Sequence, residues 1–434
     1  MICSGRVNSL LEDWMKFLRK FTVLVPCLLF LLFELGCGDQ YRPIANPIVS
    51  PGGQPQNTHS AFVVNYNPIG FGSTTKIDVS GDTNLQVLSM GFGSVAAIFQ
   101  GAVQGAIFVA NRDGDSVSEY TLAGTVNVIN ISLAPGSRPV ALAATTSTLT
   151  YVANSGTNSF CPSTGSISAI SSTSLVATNT VCVGVNPVAI VQQPSGGFVY
   201  AANLGSNTIS VYNPVSQSVS TTITQAMGLH QNPVAMVASP DGAYIYVVSQ
   251  GNGSTPGWLD IINTASNTIG GSVQVGLSPT SVYLDPFLNR LYVANTGGNS
   301  VTVFDASNVA LGVSPPIPTL ATVTVGSAPV SVAALPNGRS FYVANSASNT
   351  VSVVSSSSFG VVATVQVGQR PVFIATEPSS TKVFTANAAG GTISIIQTFD
   401  NTVVTNMPAP QQDPNCDPQV STCALQQPQM IMTQ

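Results

Sequence analysis

The chain is 434 residues long, has a net charge of −5 and is only 7% charged, against roughly 25% in an average soluble protein. Without a basic patch it lacks the electrostatic footprint of a nucleic-acid binder, and no nucleic-acid partner is expected. A surface that must be polar without charge, built from Ser, Thr, Asn, Gln and Gly, fits an exported β protein better than a cytosolic enzyme.

In chain order, residues 1–36 read as an export signal outside the fold. Met15-Lys16-Phe17-Leu18-Arg19-Lys20 is a basic head, and residues 21–33 form an apolar run of 13 residues, too short for a spanning helix. Translation is expected to start at Met15, because Glu12 and Asp13 would set negative charge ahead of that head. Leu35-Gly36-Cys37 resembles a bacterial lipobox, in which the Cys37 sulfur takes diacylglycerol and anchors the protein to a membrane. Glu34 departs from the usual aliphatic residue there, and ordinary signal-peptidase cleavage is the alternative. Residues 37–57, with Pro43, Pro47, Pro51 and Pro55, follow as a tether. The expected location is the outer membrane or cell surface, with the periplasm as the alternative.

From residue 58 onward one pattern repeats. Aligning on the aromatic of Tyr-Val-Ala-Asn gives Phe62, Phe108, Tyr151, Tyr200, Tyr246, Tyr292, Tyr342 and Phe384, 42 to 50 residues apart. A period in the forties made of short β-rich runs signals small sheets repeated around an axis, a β-propeller of four-stranded blades. In the copy after Pro329, strand A is expected over 330–334, B over 340–344, C over 350–354 and D over 361–367. Pro336-Asn337-Gly338 makes the A–B hairpin turn, as does Pro240-Asp241-Gly242 elsewhere. Both faces of these strands are apolar, as in Leu291-Tyr292-Val293-Ala294, which requires a neighbouring sheet on each side. Asn65, Asn111, Asn154, Asn203, Asn295, Asn345 and Asn387 close strand B, with Ser249 the exception. Four residues later stand Asp115, Asn158, Asn207, Asn299 and Asn349, or Gly253 and Gly391. Both columns are expected to form the B–C turn through positive φ and local hydrogen bonds. A third column is the Pro that opens strand A: Pro139, Pro187, Pro233, Pro279, Pro329 and Pro371, a position where no ladder donor is needed.

Tyr-Val-Ala-Asn followed by Ser-Asn-Thr-Val-Ser-Val, with Gly-x-x-Pro-Val ahead, resembles the YVTN family of β-propeller repeats of bacterial and archaeal surface and exported proteins. The likeness spans about residues 58–407. It implies a propeller, in many members seven-bladed, and no single activity; relatives include surface-layer proteins, and lactonase-type propellers share the architecture. Eight repeats favour eight blades over seven. The first blade lacks a good strand A, and Gln427-Pro428-Gln429-Met430-Ile431-Met432 at the chain end is expected to supply it, closing the domain at residues 58–434.

Of seven cysteines, Cys161, Cys182, Cys416 and Cys423 remain once Cys3, Cys27 and Cys37 are set aside. Cys161 precedes strand C and Cys182 lies in strand D of one blade, where a hairpin centred near residue 173 brings them opposite. Cys416 and Cys423 bracket a polar loop. Disulfides 161–182 and 416–423 are expected, and no metal or other cofactor, because no CxxC pair or nearby His argues for zinc.

Alternating strand directions put the D–A and B–C loops on one face. Its distinctive residues are Arg138 and Arg370, each directly before an A-strand Pro, with Asn186, His230, Asn232 and Ser278, and Arg112, Asp113 and Asp115 in one B–C loop. Two guanidiniums at a channel mouth would clamp a carboxylate, phosphate or acidic sugar; the alternative is solvated side chains bonded to carbonyls of the next blade. Asp113-Gly114-Asp115 has the spacing of a calcium loop, yet Asp115 falls in the turn column. With only His59 and His230, neither a triad nor a three-His centre is expected. An acid–base pair would come from scattered Asp78, Asp82, Asp260, Asp285, Asp305 or Glu377; Asp305 and Asp260 end or sit within C strands, and Asp285 ends an A strand, where a turn role is expected. The favoured reading is a monomeric, non-catalytic envelope propeller that binds a protein or glycan through its loop face. A lactonase-like hydrolase, in which Arg138, Arg370 and His230 position an anion, and a structural surface-layer component are the alternatives.

Overall fold

The computed structural model describes residues 60–433 apart from 69, 80–81, 101–105, 122–127, 146–147 and 410–425. Cys37, His59, Cys416 and Cys423 lie outside the described residues, and with them the expected lipid anchor, the tether and the second disulfide. Eight antiparallel four-stranded sheets form a ring of blades. Strand A opens blades 2 to 8 at Ser94, Pro139, Pro187, Pro233, Pro279, Pro329 and Pro371. Blade 1 takes strands B, C and D from Ser60–Tyr66, Phe71–Asp78 and Thr83–Phe92, and its strand A from the other end of the chain, Gln427–Thr433, paired antiparallel to Ser60–Tyr66. One 3-10 turn, Gln225–Met227, is the only helical piece among the described residues.

The burial gradient explains why these segments form strands. In blade 6, Leu291, Tyr292, Val293 and Ala294 are all 0% exposed although they alternate faces; each face packs on another blade. One cluster joins Tyr292 and Val301 of blade 6 to Val332 and Phe341 of blade 7, and another joins Phe384 of blade 8, Phe62 and Ile431 of blade 1, and Ala97 and Ile107 of blade 2. The ring therefore closes through blade 1. Each such side chain contributes about 1.5–3 kcal/mol by leaving water. Burial pushes the Tyr342 phenol up to about 12. Outer strands alternate instead, as in Val361–Gln366, where five of six residues reach solvent to some degree. The Asn-Gly and Asp-Gly hairpins form as expected, with Gly338 and Gly242 at φ 70° and 71° and their N–H groups bonded to Leu335 O and Ser239 O.

The Asn column corrects the sequence reading. These residues are not turn formers but lie at the end of strand B, last in it or, for Asn65, next to last, and are 0% exposed. Each Nδ2 reaches two hydroxyls on strand C: Asn345 donates to Thr350 Oγ1 at 3.1 Å and Ser352 Oγ at 2.9 Å, Asn295 to Ser300 and Thr302, and Asn203 to Thr208 and Ser210. The amide thus staples B to C just below the loop. The next column does turn the chain: Asp115, Asn207, Asn299 and Asn349 sit at φ 46–57°.

Cys161 and Cys182 form a disulfide across 21 positions, pinning the long B–C loop of blade 3 to its strand D. Cys161→Ser/Cys182→Ser is expected to cost about 3 kcal/mol by the loop-closure estimate for a ring of this size, measurable as a lower urea midpoint at unchanged slope.

Candidate functional site

The loop face is built from one repeated clamp. The residue before each A-strand Pro is left-handed: Arg138, Asn186, Asn232, Ser278, Ala328 and Arg370 lie at φ 47–58°. Such a conformation costs about 1–3 kcal/mol for a residue with a side chain, and hydrogen bonds on both sides hold it. The carbonyl accepts from the same blade's B–C loop, Ser155 N to Arg138 O at 3.0 Å and Ala388 N to Arg370 O at 2.9 Å. The N–H donates to the turn column of the preceding blade, Arg138 N to Asp115 Oδ1 and Asn232 N to Asn207 Oδ1 at 2.7 Å, and Arg370 N to Asn349 Oδ1 at 2.8 Å. Adjacent blades are thereby tied at the rim.

The structure sorts the sequence candidates into separate groups. Arg112, Asp113 and Arg138 meet: Arg112 Nε is 3.1 Å from Asp113 Oδ1, and Arg138 Nη2 is 3.8 Å from the same oxygen. Arg112 also donates to Tyr66 Oη at 3.2 Å, its guanidinium 5.3 Å from that ring's centroid. Arg138 remains 58% exposed, and such surface pairs contribute little to stability. Arg370 opens blade 8 and Arg138 blade 3, three blades apart around the ring. Asp115 carries no free oxygen for a cation, since Oδ1 accepts from Arg138 N and Oδ2 from Gly136 N. Asp285 and Asp305 serve their turns, accepting from Phe287 N and Ser307 N; burial raises the Asp285 carboxyl, and the Ser307 hydroxyl lowers that of Asp305. Among the described residues, no group of three His, Cys, Asp or Glu side chains is placed to hold a metal ion.

Blade 5 is different in what Asp260 meets. Asp260 stands in the middle of strand C, Pro256–Asn263, 0% exposed, where the other blades place a Ser or Thr. Its Oδ2 accepts from Ser249 Oγ at 2.8 Å and His230 N at 3.1 Å, and its Oδ1 accepts from Ser272 Oγ at 2.6 Å and faces His230 Nδ1 at 2.6 Å. The imidazole stacks on Trp258, centroids 4.1 Å apart and planes 11° apart. A carboxylate facing Nδ1 favours the tautomer that carries its proton on that nitrogen. With Trp258 on one ring face and Asp260 at Nδ1, His230 keeps 30% of its side chain exposed.

Four positions changed together to make this possible. Ser249 replaces the B-strand Asn, Trp258 and Asp260 replace the two hydroxyls, and His230 replaces the glycine three residues before the A-strand Pro. In blades 6 and 7 that glycine sits against the asparagine: a Cβ on Gly276 would lie 2.5 Å from Asn295 Cγ, and one on Gly326 2.6 Å from Asn345 Cγ. In blade 5 Ser249 stands in place of the asparagine, and a side chain fits. The signal was present in the sequence as two exceptions falling in one repeat, Ser249 and the missing glycine before Pro233.

A family described as "Lactonase, 7-bladed beta-propeller" matches residues 154–256, a stretch that includes His230 and Ser249 and ends before Trp258 and Asp260. No curated protein matches the chain in sequence. Among solved structures, hydrazine synthase of Kuenenia stuttgartiensis is similar at 18% identity and a TM-score of 0.54, over 69% of this chain and 94% of that one. A functionally unknown protein from Desulfotomaculum acetoxidans is similar at 14% identity and a TM-score of 0.51, over 80% and 95%. At such identities the likeness speaks for architecture alone, and the chain is a β-propeller.

Proposed function

We propose that this protein is an envelope-exposed propeller, anchored through lipid on Cys37, that acts as a monomer and binds a partner protein or cell-envelope glycan through its loop face. The observation that supports this most is the rim clamp. All six left-handed pre-Pro residues have their carbonyls bonded within their own blade, and four of them, Arg138, Asn232, Ala328 and Arg370, also donate their N–H to the preceding blade, so Arg138, Asn186, Asn232 and Arg370 extend from a fixed backbone, and little ordering cost remains for binding. Crosslinked pull-down from envelope fractions tests it: Arg138→Ala/Arg370→Ala is expected to lose the captured partner while keeping the wild-type melting temperature. Capture unaffected by these changes, and by Arg112→Ala, would remove the loop face from the reading.

A second reading is lactonase-like hydrolysis of a small cyclic ester. It is favoured by the match over 154–256 and by the aligned His230–Asp260 pair. Turnover of a lactone panel by the purified protein is its test.

A further inference from the structure

We propose that blade 5 carries a general base, His230, positioned by Asp260, which activates water for hydrolysis of a lactone or other activated ester; this rests on the hydrolase reading above. A carboxylate wholly out of water is unfavourable even when paired, and neutral side chains of similar size commonly stabilise such a site. Seven blades show the neutral solution at the same place, Asn with two Ser or Thr hydroxyls. Blade 5 departs from it at four positions at once, and the product is a partly exposed imidazole whose Nδ1 lies 2.6 Å from a buried carboxylate. Stacking on Trp258 fixes the ring plane as well. General-base catalysis needs such a ring: open in part to solvent, with a carboxylate at Nδ1 to hold the imidazolium once it forms.

The step balances without any further reagent. A water gives one proton to His230 Nε2 as its oxygen bonds to the ester carbonyl carbon. The acyl carbon–oxygen bond of the ring then breaks, and the departing alkoxide takes the proton back from Nε2, leaving a hydroxy acid and neutral imidazole. Asp260 stays ionised throughout and acts only as the positioning residue.

The test uses the purified full chain with a panel of γ- and δ-lactones and para-nitrophenyl acetate. His230→Gln is expected to lower turnover by about 10²–10⁴-fold. Asp260→Asn would present an amide N–H to Nδ1, push the ring proton to Nε2 and abolish the base; nitrogen NMR of the imidazole, in a chain with only two histidines, reads that tautomer directly. The reversion His230→Gly/Ser249→Asn/Asp260→Ser restores the pattern of the other blades. It is expected to fold with an equal or higher melting temperature and to be inactive, which separates loss of chemistry from loss of fold. Wild-type turnover that survives His230→Gln, or a wild-type imidazole protonated at Nε2 alone, would overturn this assignment while leaving hydrolysis standing. Absence of wild-type turnover on the whole panel would remove both.

Discussion

Removing residues 427–434 is expected to open the ring and abolish cooperative unfolding. The C-terminal strand Gln427–Thr433 is the innermost strand of blade 1, and Met430, Ile431 and Met432 on it are 3%, 1% and 1% exposed. At about 1.5–3 kcal/mol for each large apolar side chain, their loss removes about 5–9 kcal/mol, comparable to the whole stability of a typical domain at about 5–15 kcal/mol. The strand also joins both neighbours: Thr433 Oγ1 donates to Thr376 O of blade 8 at 2.7 Å, and Ala97 N of blade 2 lies 3.4 Å from Met430 Sδ. Without it, the strand carrying Ala61, Phe62 and Val63 becomes an unpaired apolar edge, a template for aggregation. Size-exclusion chromatography and urea unfolding followed by circular dichroism would show the truncated chain as aggregate or partly unfolded, with a peptide of residues 426–434 added in trans restoring a monomer. A truncated chain that unfolds in one step at the wild-type midpoint would refute the closure.

The second large effect is expected at the glycine–asparagine contact. Gly276→Ala places a Cβ 2.5 Å from Asn295 Cγ and 2.7 Å from its Cβ, and the asparagine has nowhere to go. It is bonded to Ser300 Oγ at 3.1 Å and Thr302 Oγ1 at 2.9 Å, and accepts from Gly276 N at 2.9 Å. Overpacking costs about 1–3 kcal/mol and each lost hydrogen bond about 1 kcal/mol, so a loss of about 2–4 kcal/mol is expected. Asn295→Ser alone removes the staple and costs about 1–3 kcal/mol. Together the two should cost less than their sum by about 1 kcal/mol or more, as residues in direct contact couple. Blade 5 already contains the compensated form, with His230 beside Ser249. Additive losses in urea midpoints for the two single variants and the pair would show that the glycine answers to something other than the asparagine.

Both predictions rest on features the repeat made legible to different degrees. The hairpin at Asn337-Gly338, the apolar runs at Leu291–Ala294 and the approach of Cys161 to Cys182 depend on residues close in sequence, and reading them needed only the period of the strand and the chemistry of the turn. The asparagine column is legible in the sequence, but its role is not. A residue that ends a Tyr-Val-Ala-Asn run and precedes a Gly- and Asn-rich loop looks like part of the loop, and only the register Asn295↔Ser300 shows that it is a buried strand residue facing two hydroxyls. The role of Asp260 is hidden for the same reason, since a lone carboxylate in a C strand has no visible partner until the loop carrying His230 is seen folded against it.

The amino-acid sequence by itself determined the architecture: a period of about 46 residues with apolar side chains on both strand faces can bury them only by stacking sheet against sheet, and eight repeats gave eight blades. Tertiary structure alone decided which rim residues share a site. It separated Arg138 from Arg370 by three blades, gave both oxygens of Asp115 to backbone N–H groups, and brought His230 onto an Asp260 lying 30 positions away in sequence. The physical reason is that hydrogen bonding along a strand and turn is written in neighbouring residues, whereas the desolvation that makes a buried carboxylate seek a partner depends on what the ring as a whole has closed around it.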